Sequence, residues 1–265
     1  MTHGELYTII TNKAAKGKKG ALVAIIAGTQ SASIIQTLQN IPLKLRKKVT
    51  EITLDMAGSM NLIAKSCFPN ATLVTDRFHV EQLALEAVQE VRIKHRWEAL
   101  DAENEAIEKA KNQKKAYHPI ILENGDTIKQ LLARSRYILY KKPSDWTPTQ
   151  KQRADILFYL YPDIYAAYQL AQQLKGIFEH TRDKIYAYTK LAKWHETVNQ
   201  AGIKSFNSIS RTIQNHYKTI LNYFDNRSTN ASAEAFNAKI KAFRAQFRGV
   251  TNVGFFLFRL SQIYA

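Results

Sequence analysis

The sequence predicts an α/β protein with a large helical segment set into it, on three observations. Two short apolar runs of β type, VTEITL (49–54) and ATLVT (71–75), each end on an aspartate, Asp55 and Asp76. Each run gives way at once to a helical pattern, and the aspartates stand 21 residues apart. That is the length of a strand–helix–strand unit with parallel strands. From Val80 onward strand signals nearly vanish while helical periodicity persists.

Taken in order, LYTIIT (6–11) and ALVAIIA (21–27) read as strands. The stretch TNKAAKGKKG between them has the glycines and lysines of an exposed hairpin loop. Lys13, Lys16, Lys18 and Lys19 crowd that loop, either gripping phosphates or simply solvated. A helix is expected over Ser31–Asn40, stopped by Pro42, and another over Ala57–Cys67. All four strands are expected in one mixed sheet. Right-handed crossover then sets Asp55 and Asp76 side by side at its carboxyl edge, where open α/β sheets place their sites. Adjacent carboxylates repel unless a cation lies between them, and hard oxygen donors suit Mg²⁺ or Mn²⁺. The alternative is that each aspartate only caps the helix that follows.

Helical stretches are expected over 80–113, 126–140, 150–160, 163–200 and 208–224, with breaks at 118–127 and 140–150. Tyr137, Tyr140, Tyr159, Tyr161, Tyr165 and Tyr168, then Tyr186 and Tyr188, interleave with basic residues. Such pairs can stack on bases and hold phosphates, but at helical spacing most are expected to pack. In the late block 224–260, Ser228 or Thr229 can cap a helix carrying Glu234, Asn237, Lys241 and Arg244 on one face. Ala235, Phe236, Ile240, Phe243 and Phe247 make its apolar stripe. Gly249 is expected to end it, and a last helix to run over 253–264.

The 265 residues suffice for a substantial core. Lysine and arginine number 38 against 22 acidic residues, a net charge of +16, which points to a polyanion and first to nucleic acid. One cysteine, Cys67, rules out a disulfide framework or a zinc finger. No apolar run reaches the length of a membrane span, so the protein reads as soluble and cytoplasmic.

The strings LDMAGSM, FPNATLVTDRFHV and NRSTNASAEAFNAKIKAFRAQFRGV resemble the DDE-type insertion-sequence transposases of the ISL-three group. The likeness runs over essentially the whole chain. It implies a ribonuclease H-like mixed sheet with a helical insertion before the last catalytic helix. It also implies metal-dependent cutting of DNA at transposon ends, transfer of the 3′ ends to target DNA, Mg²⁺ or Mn²⁺ as a two-ion cofactor, and homo-oligomers associated with the nucleoid. By position, Asp55 matches the second acidic residue of the triad and Glu234 the third, both as metal ligands. Asp76 belongs to the Asp-Arg-Phe-His motif beside the site. Lys239, Lys241, Arg244 and Arg248, with Arg77 and His79, are the cations this resemblance turns toward DNA.

The first catalytic aspartate, on a central strand just upstream of the one resembling LYTIIT, has no counterpart, since Glu5 lies on the wrong strand. The chain is therefore expected to be a truncated carboxyl-terminal part of a transposase, with its first central strand missing and no cleavage activity of its own. The expected layout is a core over 1–80, a helical insertion over 81–204 and closing core helices over 205–265. Two rivals are a non-catalytic, basic DNA-binding remnant and a helical scaffold. The a/d pattern over 80–113 is too irregular to favour the scaffold.

Overall fold

The computed structural model describes residues 6–246 and 252–265. In chain order the elements are β1 (Tyr7–Thr11), β2 (Leu22–Ala27), α1 (Ser31–Gln39), α2 (Leu43–Arg46), β3 (Glu51–Leu54), α3 (Gly58–Cys67) and β4 (Thr72–Thr75). Then come α4 (Arg77–Asn112), α5 (Ile128–Arg134), α6 (Pro148–Leu160), α7 (Pro162–His180), α8 (Lys184–Ala201) and α9 (Lys204–Asn215). The chain closes with α10 (Tyr217–Leu221), α11 (Tyr223–Asn226), α12 (Ala231–Gln246) and α13 (Val253–Tyr264). It divides into two compact units: residues 1–76 with 218–265, and residues 77–217.

In the first unit the four strands form where alternation placed them, but not as one sheet. β1 and β2 make an antiparallel pair with Ile9 opposite Ile25 and Ile10 opposite Ala24. β3 and β4 make a parallel pair with Leu54 opposite Thr75. The expected single mixed sheet is thus two two-stranded sheets. Just past β1, the Lys13 ammonium bonds Glu51 Oε1 at 3.1 Å and Thr53 Oγ1 at 3.2 Å on β3. A side chain, not a backbone ladder, spans the two pairs. Alternation along a strand reports which face is buried, not which strand lies alongside, so the split was not legible in the pattern.

Both faces of the β1–β2 pair are covered. Ile10, Ala24 and Ile26 pack with Ile34 and Leu38 of α1 and Ile63 and Cys67 of α3. On the other side Ile9, Leu22 and Ile25 meet Phe236 and Ile240 of α12 and Tyr264 of α13. Burying both faces is why β2 reads as a continuous apolar run. α3 also covers the parallel pair, setting Ala64 and Met60 on Leu54, Leu73 and Ile52.

The second unit is helical. α4 runs 36 residues, about 54 Å at 1.5 Å per residue. Thr127 and Thr147 open α5 and α6 with reciprocal capping boxes to Gln130 and Gln150. Asp126, wholly buried, receives the guanidinium groups of Arg153 and Arg134. Burial pushes its carboxyl up, but the two arginines outweigh that and hold it below the usual range. The stretch 163–200, expected as one helix, breaks at 181–183. The Asp183 carboxylate accepts the N–H groups of Ile185 and Tyr186 at 2.8 and 3.0 Å and starts α8 afresh. Gly202, at φ 64°, ends α8 in the left-handed conformation. Among the described residues no helix is long and apolar enough to cross a membrane.

Candidate functional site

The parallel register fixes the two aspartates. Leu54 faces Thr75, and the Asp76 N–H donates to the Leu54 carbonyl at 2.9 Å. Asp55 and Asp76 therefore follow the carboxyl ends of adjacent strands, side by side. Their environments differ. Asp55 is half-buried, and its Oδ1 accepts the Ala57 N–H at 2.9 Å, turning the chain into α3. Asp76 is fully buried, and its Oδ2 accepts the Asn230 N–H at 2.9 Å. Asp55 thus closes the turn leading into α3 without capping that helix, and Asp76 binds a segment 154 residues away.

That long-range bond is one of several tying β4 and β3 to the segment before α12. The Thr75 and Thr219 hydroxyls bond at 2.7 Å, and the Asn222 side chain donates to the Leu73 carbonyl at 2.9 Å. Asn226 donates to Glu51 Oε2 at 3.0 Å. Burial raises the Glu51 carboxyl, but hydrogen bonds from Ser228, Asn226 and Lys13 outweigh it and hold the group below the usual range. Thr229 Oγ1 accepts the Ala231 N–H at 3.4 Å, a long bond within the turn that precedes α12.

Glu234 stands on the first turn of α12 and is exposed, its own N–H donating to the Asn230 carbonyl at 2.9 Å. The turn that Asp76 holds is thus the turn that bears Glu234. Two residues on, Phe236 is buried against Ala21 and Leu22. At 100° per residue the two side chains leave the helix on nearly opposite sides. Among the described residues no three His, Cys, Asp or Glu side chains stand together as a group that could hold a metal ion. As they stand, Asp55, Asp76 and Glu234 do not fit a resident divalent ion.

The cations sort into different surroundings. Lys239 donates to the Gly17 carbonyl at 2.9 Å, tying α12 to the hairpin loop. This contact brings the loop's exposed Lys16, Lys18 and Lys19 beside the basic helix, although the two segments are 222 residues apart. Lys241 and Arg244 are exposed. Lys13, by contrast, serves Glu51. Arg77 and His79 belong to the helical unit, where Arg77 lies 3.8 Å from Glu81 and over the Phe78 ring, and His79 is exposed. Arg248, Phe247 and Gly249 lie outside the described residues. Sequence reasoning read Asn230 only as part of the polar surface around Glu234 and passed over Glu51, because a backbone N–H and a strand-edge glutamate carry no motif.

The chain is thus a mixed α/β fold in which two aspartates follow the ends of adjacent parallel strands, one of them bonded to the segment that opens the helix bearing Glu234. A family model described as a transposase, of the ISL3 DDE type, matches residues 1–260. The chain belongs to this transposase family. It is 20% identical over 223 residues to the transposase for insertion sequence element IS1001 of Bordetella parapertussis, covering 84% of this chain and 49% of that protein. It is 23% identical over 227 residues to the transposase for insertion sequence element IS1557 of Mycobacterium tuberculosis (strain CDC 1551 / Oshkosh), with coverage of 84% and 49%. The chain spans about half the length of the curated relatives it matches. No solved structure matches it.

Proposed function

We propose that this chain is the carboxyl-terminal part of a transposase catalytic domain of ribonuclease H-like fold, working on DNA in cleavage and strand transfer. In this reading Asp55 and Glu234 are its catalytic carboxylates, and Asp76 is a positioning residue. The observation that carries it is the Asp76–Asn230 bond, which joins the strand end beside Asp55 to the first turn of the helix bearing Glu234. Nothing local in the sequence requires that contact. A carboxylate already buried on a backbone N–H is a poor candidate to ligate metal as well, so Asp76 acts through α12.

The split between the β1–β2 and β3–β4 pairs supports a sheet completed by a strand from outside these 265 residues, lying between β1 and β3. That strand would bring a third carboxylate to Asp55 and Glu234. Only such a completed set would hold Mg²⁺ or Mn²⁺, which in phosphoryl transfer activates the attacking oxygen and stabilises the leaving one. Alone, this chain binds DNA through its basic surface and does not cut it. Homo-oligomerisation belongs to the completed domain.

A nicking assay on a transposon-end duplex, with the 265-residue chain and either ion, is expected to show no cleavage. Binding should weaken steeply with salt. Fusing an upstream segment that supplies the strand and its aspartate should restore nicking, with Asp55→Ala and Glu234→Ala each abolishing it. Nicking by the unfused chain, or a fusion indifferent to both substitutions, would overturn the reading. A second reading is a DNA-binding remnant, and a fusion that binds without cutting would select it.

A further inference from the structure

Five of the eight tyrosines expected to pack in the helical unit are exposed: Tyr137, Tyr159, Tyr165, Tyr186 and Tyr188. The strongest uncompensated charge lies in the other unit. Residues 6–76 and 218–265 carry 16 lysines and arginines against five acidic residues, where residues 77–217 carry 22 against 16. The excess is concentrated further. No acidic residue occurs over 12–50, and none follows Glu234. The β1–β2 hairpin loop lies in the first of these stretches, and α12 beyond its first turn lies in the second.

The loop has a defined internal structure. Asn12 Oδ1 accepts the Ala14 N–H at 3.1 Å, and the Lys18 N–H donates to the Ala15 carbonyl at 3.0 Å. Lys16 sits at φ 50°, a left-handed conformation that costs a residue with a side chain about 1–2 kcal/mol. Gly17, buried at φ 71°, lets Lys239 lie along it: a Cβ there would stand 2.9 Å from Lys239 Nζ. With its ammonium on the Gly17 carbonyl, Lys239 pins the loop to one edge of α12. Lys16 and Lys18 flank Gly17, and both are exposed, as are Lys19, Lys241 and Arg244. Among the described residues no carboxylate pairs with any of these five.

At 100° per residue, Lys241 and Arg244 leave α12 roughly 160° and 140° around from Lys239. The outward side between Lys239 and Lys241 carries five exposed alanines: Ala231, Ala235, Ala238, Ala242 and Ala245. Glu234 stands near the Lys241 edge of that side and Gln246 near the Lys239 edge. The result is a floor of methyl groups between two cationic edges, with one carboxylate at its start. A second copy of this chain would set cations against cations there. A sugar–phosphate backbone suits it, since small side chains let the strand come close while phosphates meet lysine and arginine on either hand. Glu234 is five residues from Lys239, about 7.5 Å along the helix axis, so a strand held here passes close to that carboxylate.

We propose that the hairpin loop and the alanine face of α12 form one cradle for the phosphate backbone of a DNA strand. Lys16, Lys18 and Lys19 hold it from one edge, Lys241 and Arg244 from the other, and Lys239 is a positioning residue that tethers the loop. The choice of DNA rests on the transposase reading. The test measures binding of the 265-residue chain to a 20-base-pair duplex across a salt series, with circular dichroism melts confirming that each variant folds. Replacing Lys16, Lys18 and Lys19 together by alanine should lower the slope of log affinity against log salt by about two to three. A charge-matched control replaces Lys44, Lys47 and Lys48, which are exposed on the α3 side, where Arg46 Nη1 donates to the Cys67 carbonyl at 2.7 Å. That control should lower the slope by less than about one. Lys239→Ala releases the loop, so it should cost about as much slope as the loop triple, and combining the two should add little. Equal effects from the loop triple and its control would overturn the cradle. A Lys239→Ala loss of about one that adds to the loop loss would make Lys239 a phosphate contact and overturn the tether. These readouts are of binding alone, so a fused chain that fails to nick leaves them standing, whereas a chain that binds no duplex even at low salt would sink both readings.

Discussion

At the scale of single residues, the most consequential side chain is Asp76. Its carboxylate is sealed from solvent and receives a backbone N–H from a segment that would otherwise enter α12 with an orphan donor. An unmet buried N–H costs about 1–3 kcal/mol. Asp76→Ala should therefore destabilise the chain by about that much in urea unfolding. Asp76→Asn, which keeps an amide oxygen as acceptor, should recover a good part of it. If both variants unfold at the wild-type midpoint, the bond does not hold α12 in place. Asp55 is the contrast. It is half-buried with one oxygen on Ala57, so Asp55→Asn should leave stability within about 0.5 kcal/mol.

At the scale of elements, helix starts and acid-sensitive anchors matter most. Asp183 is the cap that divides α7 from α8, with two N–H groups on one oxygen. Asp183→Ala should cost about 1 kcal/mol and fray the turn that bears Tyr186 and Tyr188, seen as faster amide exchange there. Glu51, Asp126 and Glu179 anchor β3, α5–α6 and the end of α7. In each, burial raises the carboxyl, and partners outweigh it: Ser228, Asn226 and Lys13 for Glu51, Arg153 and Arg134 for Asp126, Lys142 for Glu179. A carboxyl held low in the folded state contributes stability that is fully present above its unfolded value, 4.5 for glutamate and 3.8 for aspartate. That stability is lost as pH falls through the lower folded value. Unfolding midpoints should be flat above about pH 5.5 and fall between about pH 5 and 3. Glu51→Gln should flatten part of that fall, and an unchanged acid limb would discount Glu51.

For the whole molecule, the two units predict different fates. Residues 77–217 are continuous in sequence and bury their own core of Leu131, Leu157, Leu174, Phe178 and Trp194. That fragment should fold alone, giving a helical spectrum and a cooperative melt. The other unit carries two-stranded pairs, which are marginal without further strands. Its facing strand edges at β1 and β3 are templates for intermolecular pairing. The 265-residue chain should form concentration-dependent aggregates by light scattering, while the 77–217 fragment stays monodisperse. Aggregation of the fragment alone would place the liability elsewhere.

The sequence by itself determined the local facts. Alternation and helical period report burial one residue at a time, which is why the four strands and the helix over 253–264 stand where they were read. It also determined that Asp55 and Asp76 share one end of a parallel pair, because two strands joined through a helix run parallel and finish at the same edge. Tertiary structure decided everything that depends on which distant surfaces meet. It split the sheet, spent Lys13 on Glu51 and Lys239 on Gly17, turned five tyrosines outward, and joined Asp76 to Asn230. The reason is physical. Periodicity encodes that a face is apolar, whereas the partner of a face or of a polar atom depends on chain reversals whose energies no local window contains.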